Sequence, residues 1–96
     1  MAFDMSIVNT PRNGSPDANV AVVLLGFDND VFGPVKALQL FAGIGQLPDS
    51  YVVSSNEDSM KWSVVLTTKL NAQTERVLAK IQSMPALIEF SREDAN

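Results

Sequence analysis

Val20 to Leu25 form an unbroken apolar run, VAVVLL, closed by Gly26. Six residues are too few for an ordinary helix, and the valines favour extended backbone. The run therefore predicts a strand buried on both faces or nearly so, which places it at the centre of a sheet. The chain has 96 residues, room for one domain built around that strand.

The remaining elements follow in order. Phe27-Asp28-Asn29-Asp30-Val31-Phe32-Gly33-Pro34 reads as a loop, with Pro34 suited to a first helical turn. A helix is expected from about Pro34 to Gln46, with Val35, Leu38, Phe41 or Ala42, and Gly45 on one stripe, widened by Leu40 and Ile44, and with Pro48 and Asp49 as its stop. Tyr51 to Ser55 is a strand candidate and Asn56 to Ser59 a polar turn. Lys61 to Thr68 alternates, with Trp62, Val64 and Leu66 on the inner side. Asn71 suits an N-cap for a helix over about Ala72 to Met84, which aligns Thr74, Val77, Leu78, Ile81 and Met84. Leu87 to Ser91 is the last strand, and Arg92 to Asn96 reads as a charged stop.

The order is βαββαβ. Right-handed crossovers close such a chain as an α+β, ferredoxin-like sandwich: a four-stranded antiparallel sheet with both helices on one face and strand order 4-1-3-2. Residues 1–18, rich in Pro, Asn and Gly, read as a flexible N-terminal tail, and residues 19–96 as the folded domain. From that tail, Met5 to Val8 could at most add a short strand or dock on a neighbour.

Composition narrows the function. There is no Cys and no His. This argues against disulfides, thiolate nucleophiles, the usual zinc sites and the usual general base, so no catalytic residue and no cofactor is expected. The net charge of −4 and seven scattered basic residues disfavour nucleic acid and anionic membranes. No leader-like start and no long apolar stretch is seen, and the expected location is cytoplasmic.

The carboxylate pairs Asp28/Asp30 and Glu57/Asp58 read as solvated loop faces. A calcium loop starting at Asp28 would need a closing Glu at its twelfth position, where Gln39 stands. The loop from Phe27 to Pro34 has two readings. Free N–H groups at the helix start could hold a ligand carboxylate while Asp28 or Asn29 takes its amine. Alternatively it is a tight turn that needs Gly33 for its geometry. Trp62 reads as core, and Met5, Met60 and Met84 as gap fillers.

VAVVLLGF, DNDVFGPV and ERVLAKIQSMPALIEFSRE together resemble an ACT domain over roughly residues 19–92. The size resembles that of free-standing ACT proteins. The family's loop usually reads Asp/Asn-x-Pro-Gly. Here the pair is inverted as Gly33-Pro34, Val31 and Phe32 are extra, and Pro85-Ala86 replaces a usual Gly. The resemblance implies a regulatory domain that binds a small amino acid at a dimer interface and modulates a partner enzyme. Asn29, Asp30 and Gly33 stand at the matching loop positions, beside Asp28.

Tyr51, Val52 and Val53 lie on an expected edge strand without charge or proline, a template for pairing with another chain. A homodimer through that edge or through the helices is therefore expected. A protein–protein assembly module on the same fold, without a small ligand, fits these features equally well. Acylphosphatase-like and dimeric-barrel enzymes lack their Arg or His here, and an RNA-binding RRM lacks its basic and aromatic strand residues.

Overall fold

The computed structural model describes residues 4–8, 19–56 and 58–95, with side chains for 19–56 and 58–94. Its strands are β1 (Asp4–Val8), β2 (Val20–Asp28), β3 (Ser50–Asn56), β4 (Lys61–Lys69) and β5 (Leu87–Ala95); its helices are α1 (Phe32–Gly43) and α2 (Ala72–Gln82). The sheet order is β1-β3-β4-β2-β5, with every described neighbouring pair antiparallel. From β2 onward this is the expected ferredoxin-like βαββαβ arrangement, with β2 inside the sheet; β1 joins it as a fifth strand.

Alternation builds the core. On β2, Ala21, Val23, Leu25 and Phe27 face the helices, opposite Thr68, Leu66, Val64 and Trp62 of β4. Tyr51 and Val53 continue those rows on β3. All are buried except Trp62, which is half-buried and packs at the margin of the cluster. Ala37 and Phe41 of α1 and Val77, Leu78 and Ile81 of α2 close the core from one side.

Helix α2 starts at Asn71, whose side chain accepts from the N–H groups of Gln73 and Thr74 while the Thr74 hydroxyl accepts from the Asn71 N–H. That reciprocal cap is the expected N-terminus, and the buried stripe Thr74, Val77, Leu78, Ile81 is the expected one. The end comes at Gln82, leaving Met84 half-buried beyond it.

Four expectations are corrected. First, β2 is not buried on both faces: Val22 is 39% exposed and Leu24 46%. Both helices pack on one face, so the alternate residues of β2 meet no described element on the other. Second, α1 runs Phe32–Gly43 and presents Pro34, Ala37 and Phe41 inward, while Val35 stays 44% exposed. Gly45 sets its end. At φ +71° it donates to Ala42, and Gln46 donates to Phe41 at 3.2 Å, a Schellman closure three residues before Pro48.

Third, β5 does not stop at Ser91 but continues to Ala95 along β2. Arg92 reaches α2 and makes two bonds to the Glu75 carboxylate, at 2.6 and 2.7 Å, and another at 2.6 Å to Asp94. The charges read as a stop are ladder residues tied to a helix.

Fourth, the segment Asp4–Val8, expected within a flexible tail, is a strand paired with β3 from Asp4↔Ser54 to Val8↔Ser50. The β3 edge carrying Tyr51, Val52 and Val53 is thus covered by the chain itself. Its Tyr51 and Val53 side chains are buried on the helix side, so edge pairing through β3 is not the route to a dimer. The edges are β1 and β5, and β5 carries Glu89, Arg92, Glu93 and Asp94, charges that oppose pairing with another strand. Residues 1–3, 9–18, Glu57 and Asn96 lie outside the described residues.

Candidate functional site

The β2–α1 loop brings Asp28, Asn29, Asp30 and Gly33 together at one end of the sheet. Two neighbouring segments hold it there. Asp28 N–H donates to the Ala86 carbonyl at 2.9 Å, and Asn29 N–H to the Met60 carbonyl at 2.8 Å. Asn29 and Met60 both take positive φ, 44° and 54°, so two left-handed residues face each other across that bond. Met60 is 57% exposed and is no gap filler.

The start of α1 is closed internally. The Asp30 carboxylate accepts from the Phe32 N–H at 2.9 Å, and the Asp30 carbonyl accepts from the Gly33 N–H at 3.1 Å. A ligand carboxylate at this terminus would compete with the chain's own Asp30. Gly33 is buried, and a Cβ there would lie 2.4 Å from the Phe27 ring. Its role is close approach of the helix to the core. The exposed Asp28 and Asn29 side chains make no hydrogen bond among the described residues, so they are the polar groups of the loop open to a partner.

The apolar surroundings were not foreseen. Phe32 is 64% exposed, Ile88 58%, and Val31 and Val35 44% each. Val31 lies on the loop, Phe32 and Val35 on the first turn of α1, Met60 on the β3–β4 turn and Ile88 at the start of β5. The available signal was Val31-Phe32 itself, an apolar pair in a polar turn that a tight connection does not require.

Tyr51 lies behind the loop. Its side chain is fully buried, and its hydroxyl donates to the Pro34 carbonyl at 2.5 Å. Burial pushes the phenol well above its usual range. Two surface cavities lie elsewhere: one of about 240 Å³ beside Gly45, Asp49 and Lys69 at the opposite end of the sheet, and one of about 370 Å³ between Leu40, Lys80 and Met84. Neither is lined by the Asp28–Gly33 loop.

Among the described residues no group of three or more Asp and Glu is placed to hold a metal ion. No described helix is long and apolar enough to cross a membrane. No family model matches the chain, and no curated protein matches it. The ACT-domain resemblance accordingly finds no support beyond the βαββαβ order.

Proposed function

We propose that this chain is a non-catalytic interaction domain that docks a partner protein, such as an enzyme it modulates, through the end formed by the β2–α1 loop. The observation that carries this is the exposure of Phe32, the most exposed of the large apolar side chains described. It projects from a helix start that Asp30, Tyr51 and the Phe27–Gly33 contact hold rigid. Large apolar groups on a rigid frame with polar neighbours have the composition of a recognition surface. The test is a variant pair, Phe32→Ser and Val35→Ser, in affinity purification from the native host. A specific partner retained by the parent chain and lost from both folded variants supports the reading; an unchanged partner set overturns it.

A second reading is favoured by the open Asp28 and Asn29 side chains. They would take the ammonium of a small amino acid, as the family resemblance implies. Thermal-shift measurements with the twenty amino acids test it, because a ligand at 100 times its Kd stabilises by about 2.7 kcal/mol. No shift with any of them at millimolar concentration rejects it.

A further inference from the structure

The outer face of α1 carries the exposed surface beyond the loop. Phe32, Lys36, Gln39 and Leu40 follow one another at helical spacing (i, i+4, i+7, i+8). They therefore share one side of the helix, turned away from the buried Pro34, Ala37 and Phe41. Leu40 and Met84, which stands just past the end of α2, are both half-buried against the core. They form the floor of a surface groove of about 370 Å³, and the exposed Lys36, Gln39 and Lys80 form its rims. The bond from Asp28 N–H to the Ala86 carbonyl ties the segment after Met84 to the loop that opens α1, so groove and loop belong to one side of the molecule.

The charges choose the occupant. Lys36 and Lys80 make no ion pair among the described residues, whereas Lys61 and Arg92 are paired. Two free cations thus flank an apolar floor on a chain of net charge −4. An occupant with carboxylates beside apolar side chains complements them. Asp28 and Asp30, ahead of the same helix, repel a broad anionic layer such as lipid headgroups. No buried side-chain polar atom of the described residues lacks a hydrogen-bond partner, so the groove offers no buried group to orient a small molecule. Its length suits a helix. Phe32 to Leu40 spans about 12 Å, just over two turns, the reach of apolar anchors at i, i+4 and i+7 in helix-in-groove docking. Met84 supplies an adaptable floor.

We infer that the partner lays an amphipathic helix along α1, with its apolar side chains over Phe32, Leu40 and Met84 and its Asp or Glu residues beside Lys36 and Lys80. This rests on the partner-docking reading and names the chemistry of that partner. Selection on the full chain from a displayed peptide library tests it, with peptides of about 16 residues, long enough to sustain a helix. Enriched peptides are expected to carry apolar residues at i, i+4 and i+7 with acids flanking them. Lys36→Glu combined with Lys80→Glu should weaken their binding about tenfold or more. Lys in place of the peptide acids should restore affinity for that variant. Leu40→Ser should weaken binding without altering its salt dependence. Circular dichroism confirms that each variant is folded. No enrichment, enrichment of neutral or basic peptides, binding of phosphatidylserine vesicles in place of peptides, or affinity indifferent to the lysine pair overturns the inference. The docking reading fails by a different result, a native partner set unchanged by Phe32→Ser.

Discussion

The Tyr51 hydroxyl donates to the carbonyl of Pro34 from a fully buried position, pinning the first turn of α1 to β3. Tyr51→Phe should cost about 1 kcal/mol in denaturant unfolding, the worth of one internal hydrogen bond. Alkali should act through the same group. The folded phenol titrates well above its usual range, whereas the unfolded one loses its proton near pH 10. The stability it contributes is complete below about pH 10 and falls as pH rises further. Tyr51→Phe should show a flatter alkaline limb.

Gly33→Ala places a methyl 2.4 Å from the Phe27 ring. Helix and ring must part, which should lower stability by about 1–3 kcal/mol, as overpacking does. Gly43→Ala is the control, because a Cβ there meets nothing within 4 Å. It should be neutral or slightly stabilising in thermal melts.

Asn71→Ala removes the acceptor for two α2 N–H groups and should cost about 1 kcal/mol. Native-state hydrogen exchange should show the loss as faster exchange at Gln73 and Thr74. Gly45→Ala, strained at positive φ, should cost a similar amount, about 1 kcal/mol, at the end of α1.

Acid should loosen the contact between α2 and β5. Hydrogen bonds from Arg92 hold the Glu75 and Asp94 carboxyls below their usual values. Their contribution is present above about pH 4 and disappears as pH falls through the folded-state values. Both groups are largely exposed, so Glu75→Gln should cost roughly 0.5 kcal/mol or less at neutral pH. High salt should shrink the difference between parent and variant in urea titrations.

How far the sequence reached depends on which forces act locally. The α2 cap at Asn71, its buried stripe and the inner row Trp62, Val64, Leu66 all follow from patterns within one element. The VAVVLL strand lies where its run requires, but its second face is uncovered, and apolar composition alone does not say which side the helices take. The inward face of α1 is offset by about one residue from the stripe its spacing predicts, because contacts with Tyr51 and Phe27, distant in sequence, hold Pro34 and Gly33 inward. Arg92 looked like a terminator because its Glu75 partner lies on another element. The β1 strand was hidden by the prolines that follow it, and its partner β3 was consequently read as an edge. In the candidate site, Asp28 to Gly33 were legible as a loop. The exposure of Phe32 was not, since it depends on where α1 begins.

The position of β2 also bears on how fast the chain reaches this state. β2 pairs with β4 and β5, and Val20 at its start lies opposite Ala95. Only β3 and β4 are described strands joined as a simple hairpin. The ladders that complete the sheet therefore close large loops before any contact repays the lost chain entropy. The β3–β4 hairpin, the local pairing among the described strands, is expected to form early, and the zipping of β5 onto β2 late. Folding is expected on the slow side for a chain of this size, in milliseconds or longer rather than microseconds.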